Sequence, residues 1–156
     1  MTESAEHGLV IDAVLGVYRS IHRALRAQVE VLDDQALAWV PVSGANSIST
    51  MLVHTLGSER EVLRIVHGLP SDRDRPSEFT RPATSAAYLL NQLADADALL
   101  TELGEQITPA DLAAVRERGE REPQTGIRWL VSNVAHAREH LGQVELTRQL
   151  YEQRRL

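Results

Sequence analysis

The sequence contains no cysteine, and all 16 of its basic residues are arginine, so lysine is absent as well. Without cysteine, thiolate zinc sites, thiol nucleophiles and redox pairs within the chain are excluded. Without lysine, Schiff-base chemistry and a phosphate-loop lysine are excluded. No apolar run approaches the ~20 residues that a bilayer span requires. The start, Met1-Thr2-Glu3-Ser4-Ala5-Glu6, lacks the positive region and apolar stretch of a secretory signal, and a cytoplasmic protein is expected. Basic charge is also short: 22 acidic residues against 16 basic give a net charge of −6. Nucleic acid and anionic membranes both need a basic face, so neither is an expected partner. Reactive chemistry is left to histidine, carboxylates, hydroxyls or a bound ion.

What remains is a chain of 156 residues, read as one domain over 1–156. A chain of this size buries roughly two-thirds of its unfolded surface without disulfides. Four long segments carry helical periodicity, and no strand is expected. The first runs from about Leu9 to Leu32, with Ile11, Leu15, Tyr18, Ile21, Leu25 and Val29 on one stripe. Asp33 and Asp34 interrupt it, and Trp39 to Gly44 reads as an irregular connector. Asn46, Ser47 and Ser49 are N-cap candidates for the second helix, which should stop at His67 before Gly68 and Pro70. A polar stretch from Ser71 to Thr84, broken by Pro76 and Pro82, is too long for a tight turn and reads as a crossover. The third helix spans about Ser85 to Leu103, closed by Gly104. Thr108-Pro109-Ala110-Asp111 starts a short extra helix, expected to end near Gly119. The fourth long helix runs from about Ile127 to Gln153. The expectation is an all-α four-helix bundle with a long crossover between helices 2 and 3 and a short extra helix before helix 4.

Of the six histidines, His136 and His140 stand four apart on the fourth helix. At about 100° per residue they lie only ~40° apart and can bite one metal ion. They adjoin the core arc of Leu130, Val134, Ala137, Leu141 and Val144, beside Trp129, Asn133, Thr147 and Tyr151. A solvated face with scattered histidines is the competing reading. On the second helix His54 lies beyond the main apolar arc, so an exposed position competes with a ligand role. If His54 faces the pair, three neutral imidazoles converge and leave coordination positions open. Such an all-nitrogen set suits Zn²⁺, Ni²⁺, Fe²⁺ or Mn²⁺ rather than Ca²⁺ or Mg²⁺. Glu59 projects into the middle of an apolar arc, where an unpaired carboxylate is costly. A buried pair with His22 of the first helix, or with an arginine, is the favoured reading. The sharper alternative is a catalytic proton acceptor beside the metal, or a carboxylate that orients a ligand histidine. His67, at a helix end, is assigned a structural role, and His7 none.

Two stretches together carry a family resemblance. One is Asn46-Ser47-Ile48-Ser49-Thr50-Met51-Leu52-Val53-His54, followed five residues on by Glu59; the other is His136-Ala137-Arg138-Glu139-His140-Leu141-Gly142-Gln143. The chain resembles the DinB-like metal-binding four-helix bundles over most of its length. The resemblance implies that His54, His136 and His140 bind a divalent metal, zinc or nickel foremost and iron or manganese next. It also implies a homodimer and a small-molecule substrate. Thiol-dependent S-transferases, isomerases and metal-dependent hydrolases are among the activities it suggests, and a low-molecular-weight thiol would then arrive as cosubstrate. Gln143 is a candidate contact to a ligand ring or to substrate. A non-catalytic metal- or ligand-binding protein is the reading from a different class.

Overall fold

A computed structural model of the chain describes residues 3–80 and 85–154, with side chains from residue 8 onward. The side chain of His7 and the end of the crossover, with Pro82 and Thr84, lie outside the described residues. Among the described residues seven α-helices and one hairpin follow in chain order: α1 (Glu3–Val29), α2 (Asp34–Ala38), α3 (Ile48–Val66), α4 (Arg75–Thr80), α5 (Ala86–Glu102), α6 (Pro109–Ala113), β1 (Val115–Arg118), β2 (Arg121–Thr125) and α7 (Gly126–Gln153). The long helices α1, α3, α5 and α7 form a ring. In it α7 lies against α1 and α3, while α5 closes the other side against the same two. Among the described residues no helix is long and apolar enough to cross a membrane.

Local chemistry sets most boundaries. The Ser47 hydroxyl caps α3 by accepting from the Thr50 amide at 3.2 Å. The chain leaves that helix through Gly68, at φ 72°, where a side chain would be strained. Ser85 caps α5, and Thr108 with Asp111 forms a reciprocal capping box on α6 behind Pro109. Asp33, read only as an interruption, in fact caps a five-residue helix, α2.

Four expectations are corrected. The first helix ends at Val29, three residues early, where Glu30 and Val31 turn into the Asp33 cap. The crossover contains the helix α4, which its prolines and mixed charges concealed. The extra helix stops at Ala113 rather than near Gly119. In place of its second half stands a two-stranded antiparallel hairpin, pairing Val115 with Thr125 and Arg118 with Arg121. Gly119, at φ 57°, belongs to its turn. The strands, Val-Arg-Glu-Arg and Arg-Glu-Pro-Gln-Thr, bury almost nothing apolar, so no alternation marks them. Side chains pin the hairpin instead: the Trp129 indole donates to the Arg116 carbonyl at 2.9 Å, and Arg116 donates to the Val66 carbonyl at 3.3 Å.

The core divides into two apolar clusters. One gathers Ile21, Leu25, Leu52, Leu89, Leu93 and Leu141; the other gathers Leu15, Tyr18, Leu63, Leu100, Trp129 and Leu130. Each fully buried side chain of this kind contributes roughly 1.5–3 kcal/mol. Between the clusters every long helix supplies a polar residue at the same level: His22 from α1, Ser58 and Glu59 from α3, Asp97 from α5 and Asn133 from α7. His22 Nε2 lies 2.9 Å from Glu59 Oε2, and its Nδ1 lies 2.7 Å from Asp97 Oδ1. The buried Glu59–His22 pair read from the sequence is therefore present. Beside it Tyr18 donates to Asn133 at 2.8 Å, and Asn133 donates to Ser58 at 2.8 Å.

The junction of α6 and α7 is the tightest backbone approach. A Cβ built on Gly126 would stand 2.2 Å from the Asp111 carbonyl oxygen, and no side-chain rotation relieves that contact. Gly126→Ala is expected to destabilise the protein by about 1–3 kcal/mol, read as a lower urea midpoint. An unchanged midpoint would show that the junction yields freely.

Candidate metal centre

The three histidines singled out from the sequence do meet. The α3 helix carries His54 toward α7, whose successive turns carry His136 and His140. One ring nitrogen from each lies within 4.8 Å of the other two. Ring centroids are 5.3 Å apart for His54 and His136, 5.2 Å for His54 and His140, and 4.4 Å for the α7 pair. His54 is buried at 7% exposure, which removes the exposed reading. The α7 rings are half-buried, so solvent reaches the trio from their side.

Hydrogen bonds decide which nitrogens are free. His54 Nδ1 lies 2.8 Å from Glu78 Oε2, an acceptor-only carboxylate that holds a proton on Nδ1 and fixes the ring. His140 Nδ1 lies 2.9 Å from Gln143 Oε1, and its Nε2 is buried with no hydrogen-bond partner among the described residues. Burial, then the neighbouring rings of His140 and His54 and the charges of Arg118 and Arg73, lower the His136 pKa to about 4. At neutral pH His136 is therefore an uncharged donor. Two rings locked by their other nitrogen, one orphaned lone pair and one ring held neutral fit a divalent transition metal.

The crossover, not the bundle, supplies the support. Helix α4 places Glu78 against the His54 nitrogen and Phe79 against its ring, at 4.8 Å between centroids. Arg73 donates to both Glu78 oxygens, at 2.7 and 2.8 Å. Burial pushes the Glu78 pKa up, but the bonds from His54 and Arg73 outweigh it and hold the carboxyl below its ordinary range. Arg73 also reaches Glu61 at 3.0 Å, and Arg118 bridges Glu61 and Ser58, tying the hairpin to the same face of α3. Gly57 makes the approach feasible, since a Cβ there would stand 2.3 Å from Glu78 Oε1.

Gln143 lies against the His140 ring, 2.9 Å from its Nδ1. Glu59 is brought to His22 rather than to a ring of the trio. The carboxylate on a histidine of the trio is Glu78, which the sequence reading missed. It lies in a polar stretch without periodicity, and the only local cue is an apolar Phe79 among charges. Glu78→Gln is expected to weaken metal binding about 10- to 100-fold with little change in fold, measured by competition titration. Undiminished affinity would reduce Glu78 to holding Arg73 and the crossover in place.

Four long helices around a polar layer, with three imidazoles converging from two of them, define a helical bundle built to present a histidine trio. A model of the DinB superfamily matches residues 18–144, and the chain belongs to that family. Among solved structures it is similar to the conserved protein of locus from Enterococcus faecalis, at 18% identity and a TM-score of 0.75, covering 89% of this chain and 95% of that one. It is also similar to a DinB-like protein from Bacillus cereus, at 18% identity and a TM-score of 0.73, covering 90% and 92%. At these identities the likeness concerns the fold alone. No curated protein matches the sequence.

Proposed function

We propose that the protein binds one divalent transition metal, zinc or nickel foremost, through His54, His136 and His140. We further propose that it acts as a metal-dependent thiol S-transferase on small electrophiles. The observation that carries this reading is the meeting of three histidine rings, one nitrogen of each within 4.8 Å of the other two, with His140 Nε2 buried and without a hydrogen-bond partner among the described residues. Three nitrogen ligands leave at least one coordination position for a reactant. A metal held there lowers the pKa of a thiol or of water and so supplies a nucleophile at neutral pH.

The chain's own residues set up that chemistry. Glu78 and Gln143 fix the tautomer and direction of two rings. Phe79, partly exposed beside His54 and covered by the Arg75 guanidinium at 5.2 Å, gives an apolar wall for the body of an electrophile. The absence of cysteine is consistent with a thiol that arrives from solution.

Turnover tests the reading. The protein is loaded with zinc or nickel and offered a chromogenic aryl halide with a panel of low-molecular-weight thiols. Thiol-dependent product formation is expected, lost in His54→Ala while the fold is retained. Hydrolysis of an activated ester without thiol would favour a metal-dependent hydrolase. Stoichiometric metal with no turnover of either substrate would leave a metal-binding protein without catalysis.

A further inference from the structure

Along the outer face of α7 runs an apolar line where a solvated helix would be polar. Val131 and Leu146 are each 55% exposed, and Ala135 and Gly142 stand exposed between them. At about 100° per residue these four lie within roughly 30° of one line, on the far side of the helix from the buried Val144. The middle of the line is open, since a Cβ built on Gly142 would meet nothing within 4 Å. Exposed aliphatic side chains about a centre of small residues make a face that another helix can approach closely.

Two charges decide which helix that is. Arg138 and Glu139 flank the line at its midpoint, about 50° to either side and ~1.5 Å apart along the axis. Both are exposed, and neither has an ion-pair or hydrogen-bond partner among the described residues. A second α7 laid on this face about a two-fold axis satisfies both at once, provided the two helices run parallel. The left flank of one then meets the right flank of the other at the same height, so Arg138 of each copy faces Glu139 of the other. Ala135 and Gly142 lie against their own copies, and Val131 and Leu146 extend the contact at either end. Antiparallel helices would bring each flank against itself, arginine on arginine and glutamate on glutamate, and like charges oppose that.

We infer that the protein pairs with a second copy of itself through the outer face of α7, the two helices parallel about a two-fold axis. His136 and His140 lie more than ~100° round the helix from the apolar line, so the histidine trio stays outside the seam. The pairing does not depend on a metal, and it stands or falls separately from the proposed transferase activity.

Analytical ultracentrifugation of the whole protein, without added metal, is the first test, and a dimer with a dissociation constant below about 10 µM is expected. Leu146→Glu, which puts a charge in the seam, should weaken it by roughly 100-fold or more. Arg138→Glu sets acid against acid and should weaken it by roughly tenfold, while adding Glu139→Arg restores the match and should recover the loss. These positions are exposed, so each variant is expected to keep its helix content by circular dichroism. Direction is read separately. The chain has no cysteine, so Gln153→Cys takes a single spin label near the end of α7. Parallel copies hold the two labels within about 30 Å, whereas antiparallel copies set them about 45 Å apart. A monomer at about 100 µM, a dimer indifferent to Leu146→Glu or to Arg138→Glu, no recovery in the double variant, or labels about 45 Å apart would each overturn the inference.

Discussion

Zinc or nickel at a hundred times its dissociation constant is expected to stabilise the protein by about 2.7 kcal/mol. For a chain of this size that raises Tm by roughly 5–10 °C. The effect follows from geometry that exists before the ion arrives. His140 Nε2 is buried without a partner among the described residues, and His136 is held neutral with a pKa of about 4, so His136 need give up no proton at neutral pH. His136→Ala removes one of the three converging rings and is expected to abolish the shift. A chelator should reverse the shift in the wild type and do nothing to the variant. An equal shift in the wild type and His136→Ala would place the ion elsewhere.

The second large effect belongs to the polar layer. Both ring nitrogens of His22 face carboxyl oxygens of Glu59 and Asp97, an arrangement that favours the imidazolium, while burial raises the Glu59 pKa as well. Burial alone would lower its pKa, but the bonds and charges of Glu59 and Asp97 outweigh burial and raise it above 6.5. His22→Leu leaves Glu59 buried without its partner, a loss of about 3–5 kcal/mol. Tm should fall by roughly 6–20 °C at 2–4 °C per kcal/mol. The double variant His22→Leu, Glu59→Met removes both charges from the core and is expected to recover most of that loss. A raised folded pKa also fixes a sign with pH. The stabilisation from His22 is fully present below pH 6.5 and is lost as pH rises through the folded pKa. The wild type should lose stability on that alkaline side, and His22→Leu should lack this slope. A double variant as unstable as the single one would show that the pair is not what His22 contributes.

The bundle was legible because its signals repeat over many residues. The α3 helix shows both ends in Ser47 and Gly68, and α7 shows a stripe from Leu130 to Val144 that fixes its inner face. The pairing of His136 with His140 follows from that helix alone. His54 is different, because its position on the wheel of α3 is compatible with solvent. Burial at 7% comes from α7 on one side and from Glu78 and Phe79 of α4 on the other. Tertiary contacts of that kind leave no periodic trace. Glu78 itself was invisible for the same reason, since six residues of helix in a stretch rich in proline and charge offer too few turns to form a pattern. The hairpin leaves no pattern because it is held by contacts to other elements, the Trp129 indole on the Arg116 carbonyl and the ion pair of its own Arg118 with Glu61, while its strands are almost wholly polar. Glu59 was read correctly as a core carboxylate needing a partner. The alternative proton-acceptor role lost ground when that partner was found to be His22.

The central claim is that rings from α3 and α7 share one ion. X-ray absorption at the metal edge of the zinc-loaded protein addresses it directly. Three imidazole nitrogens at about 2.0–2.1 Å, with one further light atom from solvent, are the predicted shell. Each single alanine variant at His54, His136 and His140 should lose one imidazole contribution or the metal altogether. A shell of oxygens alone, or a spectrum unchanged in all three variants, would contradict the account.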